Sequence, residues 1–116
     1  MNKAILIGYV GAEPEMSTLT SGDSKCRIRL ATHSFYKNAE GKRVKRTEWH
    51  SVILFKKLAE TAEKFLHSGS HISVEGEIRY RQYEKNGVKR DVTEIVADDF
   101  QMLDRKPKDE NDPQAA

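Results

Sequence analysis

Cysteine, proline and long apolar runs are all scarce in this sequence, and each scarcity excludes something. The one cysteine, Cys26, has no partner for an internal disulfide, which fits a reducing compartment. It is expected as a small buried apolar group. The longest apolar run, Ala4 to Val10, falls far short of the roughly 20 residues that a membrane span needs. No basic-then-apolar leader precedes it. No membrane association is expected, and the cytoplasm is the expected compartment. His33, His50, His67 and His71 lack cysteine partners at zinc-ligand spacing. Neither a metal nor another cofactor is expected. Glu48 and His50 stand close together, but no nucleophile accompanies them, so the chain reads as a non-enzyme.

What is present is charge, and its placement is informative. With 116 residues, 33% charged and 37% hydrophobic, the chain reads as one globular domain with one core. The formal net charge is only +2. Yet Lys37–Arg46 holds five basic residues and one acid, and Arg79–Arg90 repeats that count. The remainder up to Leu103 carries seven basic and twelve acidic residues. Two local basic segments beside aromatics argue for a nucleic-acid partner better than the overall balance does.

The chain is organised around Arg46–Glu60, which holds the single tryptophan. Thr47 to Phe55 is rich in β-branched and aromatic residues and predicts a strand. Alternation puts Trp49, Ser51, Ile53 and Phe55 on one face and Glu48, His50, Val52 and Leu54 on the other. One face can fill a core, which leaves two large aromatics to meet something else. A short helix follows, with Leu58, Ala62, Phe65 and Leu66 as its apolar face and Gly69 as its stop.

Upstream, Lys3 to Val10 predicts a strand buried on both faces, with Gly8 at a bend or close backbone approach. Glu13–Asp23 reads as loop or short strand plus turn. Lys25 to Thr32 alternates Cys26, Ile28, Leu30 and Thr32 against Lys25, Arg27, Arg29 and Ala31, a half-exposed strand with a basic outer face. His33 to Arg46, with Asn38 and Gly41, predicts a protruding hairpin. Downstream, His71 to Tyr83 predicts a strand, Asn86-Gly87 a two-residue hairpin turn, and Lys89 to Ala97 the return strand. Phe100 to Leu103 can close the sheet, and Asp104 onward reads as a disordered polar tail. About five strands with one helix after the third predict an all-β, partly open Greek-key barrel, the OB-fold, ahead of an SH3-like barrel.

Tyr36, Trp49, Phe55 and Tyr83 carry the chemical argument. Each is an aromatic on or beside a strand near positive charge. Unpaired bases need flat apolar surfaces to stack on and cations along the phosphate path. Duplex DNA would need a helix or ribbon for the major groove, and the one helix is poor in basic residues.

Several runs resemble one family. They are Met1-Asn2-Lys3-Ala4-Ile5-Leu6-Ile7-Gly8, Leu30-Ala31-Thr32, TEWHSVILFKKLAE from Thr47 to Glu60, Gly69-Ser70, Val74-Glu75-Gly76 and Thr93-Glu94. Together they resemble the bacterial single-stranded-DNA-binding protein family over residues 1–103, with 104–116 left as tail. The resemblance implies a homotetramer, with a dimer as the alternative, that wraps single-stranded DNA without sequence preference on the nucleoid during replication, recombination and repair. It implies stacking at Trp49 and Phe55, and at Tyr36 and Tyr83, where family members often carry tryptophan. Phosphate contacts are implied at Lys57, Arg79 and Arg81, and the neighbouring Lys3, Arg43, Lys45, Arg46 and Lys85 complete the expected nucleic-acid-binding set. His50 is implied at a subunit interface. Ser51 stands where a basic residue is common, which removes one contact. Lys106–Ala116 lacks the family's Gly/Pro/Gln-rich linker and acidic Pro-Phe tip, so recruitment of replication and repair enzymes through that tip is not carried over. This is a tail either cut or naturally short. Two other functions compete: an RNA-binding OB module, and a primosome-type protein-interaction barrel of the same descent.

Overall fold

The computed structural model describes residues 1–104, so the tail expected from Asp104 lies outside the described residues except for Asp104 itself, whose carboxylate accepts from the His71 N–H at 3.0 Å. Six strands and one helix follow in order: β1 Ala4–Val10, β2 Glu15–Thr18, β3 Ser24–Lys37, β4 Arg43–Phe55, α1 Lys56–Phe65, β5 His71–Lys85 and β6 Val88–Met102. The strands hydrogen-bond in the order β1-β5-β6-β4-β3-β2. A second pairing of β1, Tyr9 with Ala31 and Val10 with Leu30, joins it to β3 and closes a five-stranded barrel. The all-β Greek-key expectation holds, and β2 lies outside the closure as a flap on β3.

The core follows the alternation read from the sequence. Cys26, Ile28 and Leu30 of β3 meet Val52 and Leu54 of β4, Ile95 and Ala97 of β6, Val10, Ile72 and Val74. Burial pushes the Cys26 thiol up to about 11, and the nearby Glu63 charge adds to this. Helix α1 caps the barrel with Ala59 and Ala62, and Leu66 joins them from just beyond the helix end. Phe65 was expected on that face but is exposed. The helix stops at Phe65, because Leu66 is already extended (φ −99°, ψ 141°). The Ser68-Gly69-Ser70 turn then ties the helix end to β1 through Gly69 N–H to Val10 O at 2.7 Å and Val10 N–H to Ser70 O at 2.9 Å.

Strand β1 corrects a second expectation. It is buried on one face only, with Ile5, Ile7 and Tyr9 exposed on the other. Burial on both faces requires a second layer, and no described element covers this side of the barrel. The return strand is also longer than expected. A register shift opposite Glu75 and Gly76 leaves Asp98 as an extra residue, so β6 bends without breaking and carries Phe100 into the same sheet. The expected Asn86-Gly87 turn is present, with both residues at positive φ.

Helix α1 begins at a strained residue. Lys56 has φ +58° directly after the extended Phe55, and no side chain caps the helix. The left-handed region costs a side-chain-bearing residue about 1–2 kcal/mol. Glycine escapes that cost but loses about 0.5–1 kcal/mol more backbone entropy on folding. Lys56→Gly is therefore expected to stabilise the fold by about 0.5–1 kcal/mol, raising the melting temperature by roughly 2–8 °C in a thermal scan. A lowered melting temperature would show that the Lys56 side chain makes a contact worth more than the strain.

Candidate nucleic-acid interface

The barrel's register assembles one continuous outward face from four strands. Between β3 and β4, Lys25 opposes Phe55, Arg27 opposes Ile53, Arg29 opposes Ser51 and Ala31 opposes Trp49. Ser51 and Ile53 in turn lie beside Glu94 and Val96 of β6. Glu94, Val92 and Arg90 then oppose Arg79, Arg81 and Tyr83 of β5. Residues opposed across a ladder share a face. Three basic side chains of β3 therefore stand next to the row that holds Trp49 and Phe55.

Trp49 is 53% exposed but not loose. A Cβ at residue 11 would collide with its six-membered ring, so the indole rests on the bare backbone of Gly11. Gly11 N–H also donates to Arg29 O at 2.8 Å, which fixes that backbone against β3. The Arg29 guanidinium carbon lies 4.9 Å from the indole centre. Trp49 thus has a seat and a cation at its ring, in a geometry that supports cation–π attraction.

The same pairing of ring and arginine recurs along the surface. Arg43 lies 3.9 Å from the Phe35 ring, Arg46 4.9 Å from Tyr36 and Arg81 5.8 Å from Tyr83. The β3–β4 ribbon divides the first two. Phe35 opposes Lys45 and shares the Trp49 side, with Arg43, whereas Tyr36 opposes Val44 and stands on the reverse side with Arg46. The ribbon tip is held by Asn38, whose side-chain oxygen accepts from the Glu40 and Lys42 N–H groups at 3.0 and 2.9 Å.

The remaining expected residues are scattered around this face. Phe55 is half-buried and borders an open groove with Gly22, Asp23, Ser24, Lys56 and Lys57. Lys85 lies beside Tyr83 and Arg90 at the other hairpin. Lys3 pairs with Glu75 at 3.5 Å and Arg79 with Glu77 at 2.7 Å, both well exposed. Arg81 is held by two hydrogen bonds from its guanidinium to Glu94. His50 is half-buried on the face opposite Trp49, its Nε2 2.8 Å from Thr32 Oγ1. The sequence reading left Lys25, Arg27, Arg29, Phe35, Gly11 and Glu94 out of the site. The basic row of β3 was visible in its alternation. Its place beside Trp49 required the β3–β4 register.

A closed five-stranded barrel with a helix between its third long strand and the next is an OB-fold, and here its outward sheet sets aromatic rings among cations. The chain belongs to the single-strand binding protein family, whose family model matches residues 1–103. It is 44% identical over 104 residues to the single-stranded DNA-binding protein of Xanthomonas campestris pv. campestris, which covers 89% of this chain and 60% of that one. The corresponding protein of Neisseria meningitidis serogroup B is 39% identical over the same coverage. The chain therefore spans about 60% of the length of these curated relatives. Among solved structures, the Plasmodium falciparum SSB complex with ssDNA superposes with a TM-score of 0.83 at 29% identity, covering 90% of this chain and 96% of that one. A deletion mutant of the Thermus aquaticus single-stranded DNA binding protein gives 0.79 at 30% identity, covering 90% and 51%.

Proposed function

We propose that this protein binds single-stranded DNA without sequence preference and protects it during replication, recombination and repair. Residues 1–103 form the binding domain, and no catalytic step is involved. The observation that carries the reading is Trp49, a half-exposed ring seated on Gly11 beside Arg29 in the middle of a basic sheet. Aromatic faces hold bases of any identity, and the cations follow the backbone between them. Trp49, Phe55, Tyr83 and Phe35 supply rings, with Tyr36 reached where the strand passes round the ribbon. Lys25, Arg27, Arg29, Arg43, Lys45, Arg46, Lys57 and Lys85 supply cations. Lys3 and Arg79 can join them, since exposed ion pairs exchange a carboxylate for a phosphate at little cost.

Self-association is part of the proposal, with a homotetramer expected and a dimer as the alternative. Among the described residues, Ala4–Gly8 pairs with β5 on one edge only, and Ile5, Ile7 and Tyr9 are exposed beside that free edge. An unpaired edge with an apolar face is a template for pairing with another chain. A second copy of β1 fits it, and His50 is proposed at a further subunit contact. The protein would act in the cytoplasm, on the nucleoid.

The test is a titration with oligo-dT at two salt concentrations, following the fluorescence of the only tryptophan, with light scattering for mass. Strong quenching that saturates at a fixed nucleotide-to-subunit ratio and weakens with salt is expected. A folded protein whose emission does not respond would remove Trp49 from the binding surface and overturn the reading.

A further inference from the structure

Among the carboxylates on the basic outward face, one is buried. Glu94 is only 7% exposed, in the middle of β6. By register it lies between Ser51 of β4 and Arg79 of β5. Arg79 turns instead to Glu77. Arg81 reaches across to Glu94, donating from Nε to Oε1 at 2.8 Å and from Nη2 to Oε2 at 3.2 Å. This two-pronged geometry is the strongest form of an arginine–carboxylate pair. Breaking it would leave a carboxylate buried without its partner, which is costly. The Arg81 hydrogen bonds hold the Glu94 carboxyl below the usual carboxylate range against the opposing effect of burial, and the charges of Arg81, Lys25 and Arg27 reinforce this. Arg81 is thus committed to a charge inside the protein, unlike Arg79, whose partner is exposed.

Resting on the single-strand reading above, we infer that Glu94 is a built-in counter-anion that withholds Arg81 from the phosphate path and so lowers the number of phosphates this face neutralises. A guanidinium already matched by a carboxylate gains little from a phosphate, and so displaces no condensed cation from the strand. Releasing it adds one cation at a position flanked by Tyr83, without any change to the backbone.

The test compares salt dependence of oligo-dT binding in the wild type, Glu94→Gln, and the double variant Glu94→Gln with Arg81→Gln. Neither variant leaves an unpaired charge buried, so both should fold. Each phosphate neutralised on a single strand contributes about −0.7 to the slope of log affinity against log salt. Glu94→Gln is expected to steepen the slope by about 0.7, which at 0.1 M salt corresponds to roughly fivefold tighter binding. The double variant is expected to return to the wild-type slope. An unchanged slope in Glu94→Gln would overturn the inference. So would a double variant that stays as steep as Glu94→Gln, because the gain would not run through Arg81. A double variant shallower than the wild type by about 0.7 would show that Arg81 already neutralises a phosphate beside Glu94, and would also overturn it. Absence of binding by the wild type would overturn the single-strand reading itself, and this inference with it.

Discussion

Trp49→Ala is expected to weaken oligo-dT binding by about 1–3 kcal/mol, roughly 5- to 150-fold, with the fold intact and the salt slope almost unchanged. The magnitude is one established for base stacking in single-strand binders of this class and is taken over as such. What the geometry adds is the expectation that the loss falls in the upper part of that range. Trp49 does not have to be ordered when a base arrives, because Gly11 and Arg29 already hold its ring. A preorganised side chain spends little of its contact energy on lost freedom. Its half-exposure means that little core packing is removed with it, so thermal stability should stay within about 1 kcal/mol of the wild type. The constant slope separates stacking from charge, since the cations around the site remain. A folded Trp49→Ala variant with unaltered affinity would assign the aromatic face to another partner.

Gly8→Val is expected to have the larger effect on stability, a loss of about 3 kcal/mol or more, read as a fall of roughly 12–24 °C in melting temperature. Gly8 lies in β1 where the strand passes from β5 towards β3, and a Cβ there would run into the carbonyl of Ala31, with Thr32 Cγ2 also close. The Ala31 carbonyl is main chain of the strand that closes the barrel, and it cannot turn aside as a side chain could. The substitution therefore pries apart the two-residue seam of Tyr9–Ala31 and Val10–Leu30. Opening that seam exposes the β3 side of the core, where Leu30 and Val10 are fully buried. A domain of this size has only about 5–15 kcal/mol of total stability, so such a loss is a large share of it. Unchanged melting would mean that the seam contributes little and that the barrel stands on its four longer pairings.

Local chemistry was legible residue by residue. The alternation of Cys26, Ile28 and Leu30 against Lys25, Arg27 and Arg29 put the right side chains inside. Asn86-Gly87 set the β5–β6 turn, because two consecutive positive φ values suit few other pairs. Trp49 and Phe55 fell on one face because a strand has a period of two. Period alone could not say whether β1 would be covered on its second side, and Ile5, Ile7 and Tyr9 were accordingly misplaced. Nor could it show that Phe35, and not the expected Tyr36, shares the side of the ribbon that carries Trp49. Adjacent residues point to opposite sides of the ribbon, and only the pairing of Ala31 with Trp49 fixes which side is which.

The sequence by itself determined what is local: the periods of the strands and helix, the turns, the uneven placement of charge, and the TEWHSVILFKKLAE run that marks the family. Only the tertiary structure decided which faces became neighbours. The seat of Trp49 on Gly11, the arginines of β3 beside it, and the capture of Arg81 by Glu94 all join residues on different strands. Their positions depend on the cross-strand register and on the closure of the barrel by β1. Those are set by burying one shared core, a quantity that belongs to the whole chain and to no single stretch of it.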